Sequence, residues 1–440
     1  MAYTKQLTLV ALMAGTALTS HAQGMREAVE AAITNHPNVE MAEHNRDAIG
    51  HVLRQSKAAY RPTVDLTAGT GWEHTNSSTT RSRAARTNNV HGHRDLWRNE
   101  ARLLVRQNLY NGYGTRSDVS EQKNRKESAK FNVVETKEIT ALQALEAYLN
   151  VMRARELVAL GIANLKTHES YLNQISRRVT GGRGSQADLR QAEGRANLAR
   201  ANLVAYQGEL RNAEADYLEV VGTMPKQLRK DNTPFRSLPA SLETALDRAM
   251  ANSPAIKSAQ HDIKAAHAAV QEAKSVFCPR FDLEGNVGRN VNLDGVEGTN
   301  NEASVMLMMR YNLYRGGGDT ARVKEQVERH GEATASLEQT RRLVEENMML
   351  AWSGLQTSRM RLQPLNGHVL AAQQTRDAYE AQFDLGQRTL LDLLDSEIEL
   401  FEAKTALING KYAVDLAVYE VMAHAGDLVS TMTTQVASLR

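Results

Sequence analysis

The stretch FDLGQRTLLDLLDSEIELFEA, residues 383–403, decides the fold of this chain. Gly386 marks a turn, and Thr389 followed three positions later by Asp392 has the form of a capping box that begins a helix. Behind this start, apolar residues recur at alternating spacings of three and four, which predicts a heptad seam that packs against other helices. The seam consists of Leu393, Leu400, Ala403, Leu407, Val414, Ala417 and Val421.

The same arrangement occurs 204 residues earlier in the chain. The corresponding turn residues are Gly182, Ser185 and Asp188. They precede a second seam made of Leu189, Ala192, Ala196, Ala199, Leu203, Tyr206, Leu210, Ala213, Tyr217 and Val220. The chain is therefore predicted to be a tandem duplication of one structural repeat.

The composition favours long helices over a thick globular core, because only 5% of the 440 residues are aromatic and 8 are proline. The 53 Lys and Arg residues nearly balance the 51 Asp and Glu residues, so the charge does not indicate a nucleic acid partner. The single cysteine, Cys278, excludes an intrachain disulfide. The sequence has no H-E-x-x-H or G-x-S-x-G motif, and we expect neither an enzyme nor a bound cofactor or metal.

Residues 1–22 have the features of a secretory signal peptide. Lys5 precedes a short apolar run, and Ser20-His21-Ala22 fits a cleavage site. No cysteine follows that site, so we expect no lipid-anchored N-terminus. No later run approaches 18 apolar residues, and we therefore expect any membrane insertion to occur through a β-barrel.

Four segments alternate apolar and polar residues with the period of a β-strand. They are residues 63–72, 101–109, 281–291 and 303–313. Each has about ten residues, the length that crosses a bilayer at a tilt. Two hairpins on a soluble sheet are the alternative, but a signal peptide precedes them and no compact domain is predicted to cover their apolar faces. Four strands are too few to close a barrel, whereas three chains would supply twelve.

The predicted organisation follows from these patterns. After the signal peptide, residues 23–222 form the first repeat, with a strand hairpin at about 62–110 and a helical hairpin at about 115–222. Residues 223–241 form a linker. Residues 242–426 form the second repeat, with the corresponding hairpins at about 279–314 and about 319–426, and residues 427–440 form a flexible tail. The loop between about 73 and 98 is 13 residues longer than its counterpart, and we expect it to face solvent.

The chain resembles the TolC family of outer membrane channel-tunnels over essentially all of its mature length. The motif F-x-x-G-x-R-T-L-L-D-L-L-D-x-E at residues 383–397 is the most specific match, and it is similar to the branch of type I secretion outer membrane proteins. The resemblance implies a mainly α-helical protein with membrane β-strands. It further implies a homotrimer, a twelve-stranded barrel in outer membrane lipid, and a coiled-coil tunnel that projects into the periplasm. It also implies a periplasmic adaptor protein and an inner membrane ABC transporter as partners.

The resemblance assigns roles to residues of both turns. Asp392 and Asp395 match the acids that narrow the periplasmic entrance. Arg388 matches an arginine whose contacts between chains help hold the entrance closed, and Asp188 matches its region of contact. The adaptor-contact turns contain Gly182, Ser185, Gly386 and Thr389. Asp392 has an alternative explanation, since an acid in the first turn of a helix also complements the helix dipole. The chain departs from the family pattern at Phe383, where some members have tyrosine, and at Ala187, which cannot donate a side-chain hydrogen bond.

The main functional hypothesis is a passive export channel for type I protein secretion, with energy supplied by an inner membrane partner. One alternative keeps the fold and changes the cargo to drugs or other small molecules, with a proton-driven pump. A second alternative is a soluble periplasmic coiled-coil adaptor protein, against which the four alternating strands argue.

Overall fold

The computed structural model describes residues 24–86, 92–229 and 238–434. The predicted signal peptide, residues 87–91 of the predicted long loop, the middle of the predicted linker and the last six residues lie outside these ranges. The first repeat contains α1 (Met25–Asn35), α2 (Pro37–Ala58), β1 (Thr63–Thr75), α3 (Ser78–Arg86), β2 (Arg94–Asn111), α4 (Gly114–Thr180) and α5 (Gln186–Val221). The second contains α6 (Leu242–Asn252), α7 (Pro254–Lys274), β3 (Arg280–Val291), β4 (Thr299–Arg310), α8 (Gly318–Asp384) and α9 (Leu390–His424), and α10 (Leu428–Thr434) follows.

Two very long helices dominate the structure. Helices α4 and α8 each contain 67 residues, which corresponds to about 100 Å at 1.5 Å per residue. Each pairs with the shorter helix that follows it, α5 or α9, and α9 also packs along α4. None of the described helices combines the length and apolar character needed to cross a membrane.

The helices begin where the sequence supplies caps. Pro37 and Pro254 occupy the first turns of α2 and α7, where a missing amide proton costs nothing. The side chains of His36 and Ser253, the residues before them, accept hydrogen bonds from backbone amides of the first turn. The same break between two helices therefore occurs in both halves of the chain.

The four strands form one antiparallel sheet in the order β1-β2-β3-β4. Strand β2 of the first repeat pairs directly with β3 of the second, with a bulge between Asn108 and Tyr110. The hairpin of β1 and β2 extends to the pair Thr75 and Arg94, and helix α3 follows β1. The prediction of a loop from about 73 to 98 is therefore wrong at both ends, because strand alternation continues into it.

The sheet has two contrasting faces, which we call the polar face and the apolar face. Directly opposite residues of an antiparallel ladder point to the same side, so the register assigns each residue to a face. The polar face comprises the odd-numbered residues of β1 and the even-numbered residues of β2 up to Asn108, of β3 and of β4. The apolar face is solvent-exposed in a single chain, with exposed fractions of 74% at Leu66, 64% at Trp72 and 77% at Val305.

The main hydrophobic core lies among α1, α4, α5, α6, α8, α9 and α10. Its largest fully buried side chains include Leu145, Tyr148, Tyr217, Met348 and Tyr419. The Tyr148 hydroxyl donates to the carbonyl of Arg229 and accepts from its amide, at 2.6 and 2.9 Å. The described start of the linker is thereby fixed against α4.

The C-terminal segment differs from the predicted flexible tail. Residues 428–434 form α10, and Leu428 is fully buried in the main core. The carboxylate of Glu138 on α4 accepts hydrogen bonds from the amide of Val429 at 3.3 and 3.2 Å. The prediction of a flexible tail is wrong for these residues. The burial of Leu428 and the cap from Glu138 hold the segment in place, and the segment is too short to show a periodic pattern in the sequence.

Glu138 makes this docking sensitive to pH. Its burial raises its pKa to about 7, against the hydrogen bonds from Val429 and Leu428, which lower it. A carboxyl with a raised folded-state pKa stabilises the fold below its unfolded pKa, and that stability is lost as the pH rises toward 7.

We expect the free energy of unfolding of the wild type to fall between pH 5 and pH 8 as Glu138 ionises. The variant Glu138→Gln cannot ionise, so its stability relative to the wild type should rise over the same range. The gain should amount to up to about 3 kcal/mol, since one pKa unit corresponds to about 1.4 kcal/mol. Thermal unfolding of both proteins in detergent at the two pH values measures it. A difference between the two proteins that does not change with pH would contradict the assignment.

Candidate functional site at the turns of the helical hairpins

Both helical hairpins reverse through the same backbone geometry. Gly182 has φ +72°, and the amide of Arg183 donates to the carbonyl of Arg178 over 2.8 Å. Gly386 has φ +73°, and an equivalent 2.8 Å hydrogen bond closes its turn. A left-handed residue at the end of a helix favours glycine, which explains why glycine occurs at this point in both repeats.

The predicted cap at Thr389 is present. The Thr389 hydroxyl accepts from the amide of Asp392 at 3.3 Å and donates to its carboxylate at 2.8 Å. These bonds to Thr389 and the nearby Arg388 guanidinium keep the pKa of Asp392 below its ordinary value. Asp392 therefore stays ionised and has a capping role in the single chain. In the other hairpin, Ser185 caps α5 by accepting a hydrogen bond from the amide of Ala187 at 3.1 Å.

Arg388 is held within its own hairpin. Its guanidinium carbon lies 4.1 Å from the ring centre of Tyr379, its Nε donates to Gln382 over 3.0 Å, and its Nη1 lies 3.6 Å from a carboxylate oxygen of Asp392. Asp188 lies in the first turn of α5, in the other hairpin. The predicted contact between Arg388 and Asp188 is one between chains, so it stays a prediction.

Asp395 has a partner that the sequence did not reveal. Arg195 of α5 donates to its carboxylate over 2.6 Å, and the Asp395 side chain remains 55% exposed. The pair connects the two hairpins, because Arg195 belongs to the first repeat and Asp395 to the second. Arg195 therefore compensates the charge of one of the two predicted entrance acids within each chain.

Phe383 forms part of a small apolar core next to the turns. It is 7% exposed and packs in a cluster with Tyr171, Ile175, Ala192, Leu390, Leu393 and Leu394. The guanidinium of Arg178, on α4, lies 4.7 Å from its ring centre. Phe383 is therefore a buried ring whose cation–π contact with Arg178 joins the two hairpins.

A partly buried polar network beside this core also joins the hairpins. The Tyr171 hydroxyl donates to Glu397 at 2.9 Å and to Glu380 at 3.3 Å, and Arg376 lies 3.0 Å from Glu380 and 3.6 Å from Glu397. Burial raises the pKa of Glu397, against the hydrogen bond from Tyr171 and the charge of Arg376. One signal in the sequence could have revealed this network, because Glu397 is a charged residue between Leu393 and Leu400 in the heptad seam.

Comparison with known proteins identifies the family. The family model described as outer membrane efflux protein matches residues 28–223 and 245–427, one segment in each repeat. The chain belongs to the outer membrane efflux protein family. The chain is 26% identical to outer membrane efflux protein BepC of Brucella suis, over 97% of this chain and 91% of BepC. It is 23% identical to the proteases secretion protein PrtF of Dickeya chrysanthemi, over 92% of this chain and 88% of PrtF.

The fold of this outer membrane efflux protein also matches solved structures. The Campylobacter jejuni CmeC outer membrane channel aligns with a TM-score of 0.81 at 14% identity, over 93% of this chain and 88% of CmeC. The family and fold predicted from the sequence are therefore confirmed. The protein is an outer membrane efflux protein, and the alternative of a soluble periplasmic adaptor is wrong.

Proposed function

We propose that three copies of this chain form an outer membrane export channel that serves type I protein secretion. The sheet carries the argument for the channel. Its apolar face is exposed in one chain, and β1 and β4 are edge strands of a four-stranded sheet. An exposed strand edge can pair with a strand of another chain, and an outward-facing apolar surface is typical of strands that face lipid. Three chains would supply twelve strands, with the apolar faces toward lipid and the polar faces toward a lumen.

Two observations favour protein secretion as the activity. The motif at residues 383–397 resembles the type I secretion branch, and the similarity to PrtF, named for the secretion of proteases, extends over 92% of the chain. An inner membrane ABC transporter would then supply the cargo and the energy. A periplasmic adaptor would connect the transporter to this protein by contacting the turns at Gly182, Ser185, Gly386 and Thr389. The similarity to BepC, named as an efflux protein, over 97% of the chain favours the second candidate, small-molecule efflux driven by a proton-coupled pump.

The turns are proposed to form the periplasmic entrance. Three copies of Asp392 and Asp395 around a threefold axis would concentrate negative potential in a narrow opening. Arg388 would hold the opening closed by leaving the contacts of its own hairpin for Asp188 of the neighbouring chain. Arg195 lies 2.6 Å from Asp395 and Arg388 lies 3.6 Å from Asp392, so Asp392 is the less closely paired of the two acids and would contribute more to the potential.

We expect the double variant Asp392→Asn/Asp395→Asn to lose cation preference and block by multivalent cations, because the acids create the attracting field. Single-channel recording in planar bilayers measures both. Thr389→Ala is the matched control, since it removes the helix cap and keeps the charges, and it should still be blocked. In the same recordings Arg388→Ala should raise the resting conductance. Unchanged selectivity and block in the double variant would exclude the entrance role.

A clean deletion of the gene, scored in two ways, distinguishes the two cargo classes. We expect loss of one or a few large proteins from the culture supernatant with unchanged susceptibility to dyes, detergents and antibiotics. Complementation with the wild-type gene is the control. Unchanged secretion together with hypersensitivity would instead assign the channel to small-molecule efflux.

A further inference from the structure

The polar face of the sheet contains equal numbers of positive and negative side chains. The register places six arginines on it, namely Arg94, Arg98, Arg102, Arg106, Arg280 and Arg310. It places six carboxylates on the same face, namely Asp65, Glu73, Glu100, Asp282, Glu284 and Glu302. The formal charge of this face is therefore zero in each chain.

Most of these charges are paired across strands. Glu73 and Glu100 lie 3.0 and 2.7 Å from Arg98, and Arg106 lies 3.1 Å from Glu284. Arg310 reaches Glu284 and Asp282, both at 2.7 Å, and Arg280 reaches Asp282 at 2.8 Å. The pairs form separate groups distributed over β1 to β4, and Arg94 lies 3.6 Å from Glu297, between β3 and β4.

The backbone makes room for these pairs to lie flat on the sheet. Arg102 of β2 and Glu302 of β4 meet at 3.1 Å across β3, where Gly288 is opposite both. A Cβ atom at Gly288 would come within 2.8 Å of a Glu302 carboxylate oxygen. At Gly69, a Cβ atom would come within 3.0 Å of Glu100 in the same way. A side chain at either position would displace the end of the neighbouring glutamate, so glycine leaves room for the charged side chains to lie along the wall.

We propose that this charge-compensated face makes the outer part of the channel nonselective for the sign of a solute's charge. The proposal rests on the proposed function, in which the polar face lines the lumen. Alternating paired charges produce fields that cancel over a short distance, so neither cations nor anions are concentrated along the wall. Charge selection would then take place at the turns, where Asp392 is less closely paired, with Arg388 at 3.6 Å. A cargo that carries both signs of charge, as a polypeptide does, would meet no electrostatic barrier in the wall.

The test uses the full-length protein in planar bilayers under a KCl gradient, in the background Arg388→Gln/Asp392→Asn, which removes one charge of each sign from the turn and keeps the pair of Arg195 and Asp395. In this background the polar face of the sheet determines the charge selectivity of the channel, and we expect a cation-to-anion permeability ratio of about 1. Arg102→Gln should shift the ratio about twofold or more toward cations, and Glu302→Gln should shift it similarly toward anions. The variant with both changes should return to the background value, because the face is again balanced.

Arg289→Gln is the matched control, because Arg289 lies on β3 but on the apolar face, and it should leave the ratio unchanged. Thr67→Glu covers the case in which Arg102→Gln does not fold, since it adds a negative charge opposite Arg102 without removing a pair, and it should shift the ratio toward cations. Channels that form but do not respond to any polar-face variant would overturn the inference and leave the channel function standing. If the wild-type protein inserts no channel, the proposed function fails and the inference fails with it.

Discussion

The pairing of β2 with β3 is the interaction on which the rest of the structure depends. It joins a strand of the first repeat to a strand of the second, and it converts two hairpins into one sheet. The long helices follow β2 and β4, so the sheet fixes where both helical hairpins start. The hairpins meet again near their turns, through Arg195 and Asp395, through Arg178 and Phe383, and through the network around Glu397. The two repeats are therefore joined in two places. Backbone hydrogen bonds join them in the sheet, and side-chain contacts join them near the turns.

Local patterns were sufficient to predict most of the fold. Glycine followed by a capping residue predicted both turns, and alternation predicted all four strands, because these features depend on residues close in sequence. Order in α10 could not be predicted, since it depends on Leu428 entering a distant core and on Glu138 accepting from the Val429 amide. The continuation of β1 and β2 to the pair Thr75 and Arg94 was missed because the expected loop was inferred from length alone.

The cap formed by Thr389 and Asp392 was predicted from the sequence, but the partners of Arg388 and Asp395 were not. Thr389 and Asp392 form a cap because they are three residues apart, which the sequence displays directly. The pair of Arg195 and Asp395 depends on how two helices 200 residues apart in sequence are aligned, and nothing local indicates it. The pairing also changes the chemistry, because a carboxylate with a guanidinium at 2.6 Å attracts cations less than a solitary one.

The measurement that tests the central claim most directly is the environment of each face of the sheet. Single cysteines in a Cys278→Ser background, at Leu66 and Val305 on the apolar face and at Thr67 and Ser304 on the polar face, can carry a fluorescent label in the membrane-inserted protein. All four positions are solvent-exposed in a single chain, so a difference must come from assembly in lipid. The account predicts quenching by lipid-bound quenchers at positions 66 and 305 and by aqueous iodide at positions 67 and 304. Equal access of iodide to all four positions would contradict it.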